Sequence, residues 1–104
     1  MDMKIQVRDH SARITMSGRF DFGVHRDFKN AYMTLLGNAN VHGLELEMSR
    51  VDYLDSAALG MLLLLHERAK DVNKSLALLN ASGVASQMME VANFSKFFTI
   101  RNAA

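Results

Sequence analysis

The sequence of 104 residues has no cysteine, no proline and no tryptophan. Without cysteine, a disulfide framework, a thiolate metal site and a cysteine nucleophile are all excluded. The six glycines are scattered and form neither a G-x-G-x-x-G nor a G-x-x-x-x-G-K-[ST] phosphate loop. The longest apolar run, residues 57–65, has nine residues, whereas a membrane-spanning helix needs about 20. The composition therefore argues against redox chemistry at cysteine, against these nucleotide-binding classes and against insertion into a membrane.

The chain also has no large excess of charge of either sign, because twelve Lys and Arg are balanced by eleven Asp and Glu. This balance argues against nucleic acid as a partner. Hydrophobic residues make up 49% of the chain, which is enough for one core. With no linker, no repeat and no apolar signal segment at the N-terminus, we expect one domain over residues 1–104, located in the cytoplasm and without a membrane partner.

Two segments near the N-terminus alternate apolar and polar residues, the pattern of a strand with one buried face. In the first, Ile5 and Val7 are the apolar positions, and the second runs from Ala12 to Met16. The polar stretch Asp9–Ser11 predicts a hairpin turn between them. Gly18 is expected to end the second strand.

Three later segments carry apolar residues at helical spacing. The first ends at Gly37-Asn38, the second is expected from Ser56 to about Asp71, and Ser82 is expected to cap the third. The residues expected to face inward are Val24, Phe28, Ala31, Tyr32, Leu35 and Leu36 in the first, Leu59, Leu62, Leu63, His66 and Ala69 in the second, and Val84, Met88, Val91 and Ala92 in the third.

The segment 44–48, in which apolar residues alternate with Glu, and the short segments 76–79 and 97–100 predict strands between and after these helices. The order of elements is then β-β-α-β-α-β-α-β. Strands separated by helices imply parallel neighbours and right-handed crossovers. Because several strands alternate polar and apolar residues, we expect helices on one face only. The predicted fold is α/β, a mixed sheet of four to five strands with three or more helices packed mainly on one face.

Metal binding and catalysis find little support in the sequence. No two histidines lie at a recognised ligand spacing, so we expect no metal. The histidines are His10, His25, His42 and His66. Asp52, Asp55 and Ser56 cluster at a strand-to-helix junction, but G-x-S-x-G is absent and no base or oxyanion hole can be assigned. We therefore do not expect an enzyme. The simplest explanation of Ser56 is a helix N-cap, a position that Asp55 fits as well.

The context of Ser56 gives it a second interpretation. The segment Val51-Asp52-Tyr53-Leu54-Asp55-Ser56, followed by small residues and an apolar helix, resembles the signature of the STAS domain. This domain is the fold of bacterial anti-sigma factor antagonists. The segment Ser17-Gly18-Arg19-Phe20-Asp21 resembles a second family element, the turn after the second strand. The predicted order of elements is the family's order over nearly the full length.

The resemblance implies a partner-switching function. Ser56 would be phosphorylated by an anti-sigma factor that is itself a serine kinase and supplies its own ATP and magnesium. The chain itself would then need no cofactor. The unphosphorylated protein would bind this kinase and release its client, the phosphorylated protein would dissociate, and a serine phosphatase would reset it. The residues expected at the docking surface are Asp21, Asp55, Ala57, Gly60, Met61 and Leu64. We expect neighbouring helices to cover Leu65.

Other interpretations stay open beside this one. Asp21 fits an Asx-turn or a helix N-cap as well as it fits a docking contact. Many family members carry Ser or Thr and then Gly after the phosphoserine, where this chain has Ala57 and Ala58, so a second phosphorylation at this turn is excluded. The same fold could instead serve as an unphosphorylated scaffold or as a small-ligand or nucleotide sensor. We expect a monomer or a weak dimer.

Overall fold

Five strands and three helices follow one another in the predicted order in the computed structural model, which describes residues 1–101. The strands are β1 (Asp2–Arg8), β2 (Ser11–Phe20), β3 (Gly43–Leu54), β4 (Ser75–Leu79) and β5 (Thr99–Arg101). The helices are α1 (His25–Leu36), α2 (Ser56–Asp71) and α3 (Gly83–Val91), with 3-10 turns at Phe22–Val24 and Phe94–Lys96. The predicted α/β fold class is confirmed.

The sheet has the order β1-β2-β3-β4-β5, so that every strand pairs with its neighbour in sequence. β1 is antiparallel to β2, and β2 to β5 are parallel. The three helices form the crossovers between the parallel strands, and right-handed crossovers in this order put them on one face. On that face Ile14 and Leu46 pair in register and are fully buried, whereas their neighbours Arg13 and Glu45 lie on the open face.

Aromatic rings connect α1 to the sheet. The rings of Phe20 and Phe28 lie 5.0 Å apart, and those of Phe28 and Tyr32 lie 5.3 Å apart in an edge-on arrangement. Both arrangements are favourable ring geometries. With Leu35 and Leu36 also buried, four of the six positions predicted to face inward in α1 form part of the core. Among residues 1–101, no helix combines the length and apolar character required to cross a membrane.

β2 and β3 are longer than predicted. Gly18 does not end β2 but lies within it at a φ of +96°, a conformation that favours glycine. The pairing register with β3 shifts on both sides of this residue, between Thr15 and Ser17 and between Gly18 and Arg19. Such bulges bend the strand without ending it, so β2 continues to Phe20.

β1 has no buried face, contrary to the prediction. Ile5 is 47% exposed and Val7 52% exposed, although they pair with the buried Ile14 and Ala12 of β2. The physical reason is the position of β1 at the edge of the sheet. The helices connect β2 to β5, and within β1 only Met3 is partly buried against the core.

Parts of α2, α3 and the last strand also differ from the prediction. In α2, Leu63 is 37% exposed, and Leu65 is buried as expected. In α3, Val84 and Val91 are exposed, while Ala85 and Met89 are buried in their place. The pattern could not fix the rotation of α3 because the helix carries two adjacent apolar stripes, one with Val84 and Val91 and one with Ala85 and Met89.

At the C-terminal end, β5 begins at Thr99 and not at residue 97. Phe98 is buried, and its ring lies 4.8 Å from the ring of Phe94. This side chain therefore belongs to the turn that closes the core, whereas Phe97 is 52% exposed.

Glu47 lies on the open face and is held by hydrogen bonds. It accepts bonds from the Ser49 N–H at 2.9 Å and from Asn80 Nδ2 at 2.7 Å. Partial burial acts to raise the pKa of Glu47, but these bonds and the charge of Arg13 outweigh it and lower the pKa. A lowered pKa in the folded state gives stability that is present at neutral pH and is lost as the carboxylate becomes protonated.

We therefore expect Glu47→Gln to reduce the dependence of stability on pH in the acidic range. The melting temperature of the wild-type protein should fall more steeply than that of the variant as the pH drops from about 5 to about 3. Thermal unfolding across this range measures the effect, with Glu67→Gln on exposed α2 surface as the control. Parallel curves for wild type and Glu47→Gln would contradict it.

Candidate functional site

The site forms where β2 and β3 end side by side. Phe20 and Leu54, the last residues of these parallel strands, pair with each other. The chain then continues from β2 into the turn at Asp21 and from β3 into α2 at Asp55. The Asp55 N–H donates to the Phe20 carbonyl at 3.3 Å, which holds the two turns together.

Asp55 joins the two turns through both oxygens of its carboxylate. As the N-cap of α2, it accepts a hydrogen bond from the Ala58 N–H to Oδ1 at 2.8 Å. Its Oδ2 accepts a second bond from the Phe22 N–H at 3.3 Å. The expected docking residue Asp55 is therefore first of all a structural link between the 3-10 turn and the N-terminus of α2.

Ser56 is the first residue of α2, and its side chain is exposed. Its interpretation as a helix N-cap is wrong, because Asp55 occupies the cap position and accepts the hydrogen bond. Within residues 1–101, the Ser56 hydroxyl makes no hydrogen bond to the protein. A serine with no capping role presents its hydroxyl to solvent beside the unpaired amides of the first helical turn.

Asp21 caps the 3-10 turn, as its Asx-turn interpretation predicts. Its Oδ1 accepts from the Gly23 N–H at 3.0 Å, and its Oδ2 accepts from Arg19 Nε at 3.0 Å. The Arg19 guanidinium also lies 3.8 Å above the ring of Tyr53, a cation–π arrangement. Sequence reasoning missed both Arg19 and Tyr53. The one signal in the sequence that could have identified Arg19 is its position between Gly18 and Asp21.

The expected docking residues of α2 share one face of the helix. Ala57, Gly60, Met61 and Leu64 follow the spacing i, i+3, i+4, i+7, which places them in a single stripe. Leu64 is 44% exposed, Ala57 and Met61 are half-buried, and Gly60 is exposed. A Cβ added at Gly60 would meet no atom within 4 Å, so packing within the chain does not require glycine there. We call this stripe the α2 face.

Phe22 is a further exposed group that the sequence analysis did not single out. Its side chain is 63% exposed, and its ring stacks on His25 at 4.7 Å. Because its N–H is bound by Asp55, Phe22 lies at the N-terminus of α2. A large apolar ring held open to solvent is typical of a protein-binding surface.

Three surface depressions of the described chain lie away from this site. They are lined by residues near the starts of β2 to β5, among them Ser11, Gly43, Ser75 and Thr99. Ser56 is at the opposite end of the sheet, and it lines none of the three. Within residues 1–101, no group of three potential metal ligands forms a cluster. Ser56 thus lies on the exposed surface of the described chain and lines none of these three depressions.

Comparison with known proteins gives one match by family and several by fold. The family model described as "Mlab, STAS domain" matches residues 3–101. The STAS-domain containing protein PA14_20770 of Pseudomonas aeruginosa (strain UCBPP-PA14) is 39% identical over 87 residues, 84% of either chain. The expected family is thus supported by nearly the whole described chain.

Two solved structures share the fold at low sequence identity. The anti-sigma factor antagonist SpoIIAA in its unphosphorylated form has a TM-score of 0.84 at 16% identity, covering 99% of this chain and 89% of its own. The Bacillus cell fate determinant SpoIIAA in the phosphorylated form has a TM-score of 0.77 at 16% identity, covering 99% and 92%. With the family match and the arrangement of strands and helices, these likenesses lead to one conclusion: the chain belongs to the STAS domain family.

Proposed function

We propose that this chain acts as a single-domain anti-sigma factor antagonist in the cytoplasm, without enzymatic activity of its own. Unphosphorylated, it binds an anti-sigma factor that is a serine kinase. Phosphorylation of Ser56 ends this binding, and a serine phosphatase restores it. The observation that carries the proposal is the exposed Ser56 hydroxyl at the start of α2, left unengaged because Asp55 performs the capping. A kinase can reach such a hydroxyl without unfolding the helix.

Electrostatics explain how a phosphate at Ser56 would act. It adds about −1.5 to −2 charges, which the amides and dipole at a helix N-terminus tolerate. The new charge would lie beside Asp55 and near the exposed Asp52 in sequence, and the Arg19 guanidinium is paired with Asp21. Burying a phosphate against a partner without a free cation is costly, so the expected effect falls on docking and not on the fold.

The proposed docking surface combines the α2 face, Asp21, Asp55 and Phe22. Phe22 and Leu64 would supply apolar contact area, and Gly60 would allow the partner backbone to approach closely. The half-buried Met61 would adapt its side chain to the partner. Ser56 adjoins this surface in the first turn of α2, so a phosphate there would lie at the interface.

Partner capture tests the proposal. Wild type, Ser56→Ala and Ser56→Asp serve as baits in a lysate of the source organism. Ser82→Asp is the matched control because it adds the same charge at the exposed N-cap of α3. We expect one kinase-domain protein to bind wild type, Ser56→Ala and Ser82→Asp, but not Ser56→Asp. If Ser56→Asp retains the same proteins as the others, the chain is better explained as a scaffold or ligand-sensing module that does not switch.

Gly60→Ala distinguishes the effect of residue 60 on helix stability from its effect on binding of the partner. Because the position has open space, alanine should raise the free energy of unfolding by about 0.5–1 kcal/mol through its higher helix propensity. The added methyl group should at the same time weaken binding of the captured kinase. Urea unfolding and a binding titration measure the two effects, with Glu67→Ala on the same helix as the control. A higher free energy of unfolding with an unchanged affinity for the kinase would show that Gly60 is not part of the docking surface.

A further inference from the structure

The exposed edge strand β1 carries a surface that the docking site does not use. β1 pairs with β2 along all seven residues and without a register shift. Its other side therefore presents a row of N–H and C=O groups that no strand within residues 1–101 satisfies. On the helix side of the sheet, Ile5 and Val7 are about half exposed. The opposite edge, β5, has only three residues, so β1 is the longer of the two open edges.

We propose that β1 pairs with β1 of a second copy of this chain, antiparallel and about a two-fold axis at Ile5. In this register all seven residues pair: Ile5 lies opposite Ile5 of the second copy, Met3 opposite Val7, Lys4 opposite Gln6, and Asp2 opposite Arg8. The two sheets then join into one sheet of ten strands. The apolar side chains that the helices leave uncovered are buried against each other.

Charge selects this register among the alternatives. Directly opposite residues of an antiparallel pair lie on the same face, so only shifts by two residues keep the apolar side chains together. A shift one way places Lys4 opposite Lys4 of the second copy, and a shift the other way places it opposite Arg8. Of these three registers, only the one centred on Ile5 avoids like charges, and it forms two Asp2–Arg8 pairs.

The proposed dimer leaves both docking surfaces accessible. Because the two copies of β1 run antiparallel, the parallel strands of the two copies also point in opposite directions. Ser56 follows the end of β3, so the two Ser56 sites lie at opposite ends of the joined sheet. The association and the partner switch are therefore independent, and either can fail without the other.

Charge reversal tests the register. We expect the sedimentation coefficient of the wild type to rise with concentration toward that of a dimer. Asp2→Arg alone and Arg8→Asp alone should each weaken association about tenfold, since each turns two attractive pairs into repulsive ones. An equal mixture of the two variants should restore it, because their opposite charges then face each other. The proposal would be overturned if the wild type stays monomeric at millimolar concentration. It would also be overturned if the mixture associates no more strongly than either variant alone.

Cross-linking locates the two-fold axis in this chain without cysteine. Ile5→Cys should form a disulfide-linked dimer readily under mild oxidation, because the two sulfurs face each other across the axis. Val7→Cys is the matched control: it is equally exposed on the same strand face, but its partner is Met3. Equal cross-linking of the two variants would contradict the register, and circular dichroism of both verifies that they are folded.

Discussion

Asp55→Ala should lower the free energy of unfolding by about 2 kcal/mol, the sum of a lost helix cap and a lost second hydrogen bond. The carboxylate accepts from Ala58 at the start of α2 and from Phe22 in the neighbouring turn. Without it, both N–H groups lose their partner in the protein. Chemical unfolding monitored by circular dichroism measures the change.

Two further variants make this test specific. Asp52→Ala removes an exposed carboxylate three residues earlier and should change the stability by less than about 0.5 kcal/mol. Asp55→Asn keeps an acceptor oxygen for the cap and should recover much of the loss. If Asp55→Asn folds like the wild type but does not bind the kinase, Asp55 also contacts the partner. An Asp55→Ala protein as stable as the wild type would contradict the structural role.

Ser56→Asp should weaken binding of the captured kinase at least a hundredfold, while the protein remains folded. An aspartate in the first turn is favoured by the helix dipole, so the melting temperature should stay the same or rise slightly. At the interface the same charge lies beside Asp55 and must be desolvated, which accounts for a loss of about 2.7 kcal/mol in binding.

The control for this charge is Ser82→Asp, which places a carboxylate at the start of α3. It should bind the kinase as the wild type does. Loss of the folded circular dichroism signal in Ser56→Asp would contradict the surface-switch account, because binding would then be lost through unfolding.

The sequence predicted the order of elements because alternation of period two and stripes of period 3.6 are local properties. It was right about α1, where polar residues separate the apolar ones. It was wrong about the rotation of α3, where two apolar stripes lie side by side and only tertiary packing selects the one with Ala85 and Met89. It was also wrong about the burial of β1, because a strand pattern does not reveal whether a helix covers the strand.

The site was predicted in part. Asp55 and Ser56 were recognised together, but which of them caps α2 depends on the backbone at Asp55, with φ of −103° and ψ of 177°, and on the Ala58 N–H within reach of its carboxylate. The contact between Asp55 and Phe22 joins residues 33 positions apart. Such a contact follows from the parallel pairing of β2 with β3, which no local pattern encodes.

The most direct test of the central claim uses protein that carries phosphoserine at position 56, with its stoichiometry verified by intact mass. Its affinity for the purified kinase partner is compared with that of the same preparation after dephosphorylation. The account predicts at least a hundredfold weaker binding of the phosphorylated form, restored by the phosphatase, with the same circular dichroism spectrum in both forms. Equal affinity of the two forms would contradict it.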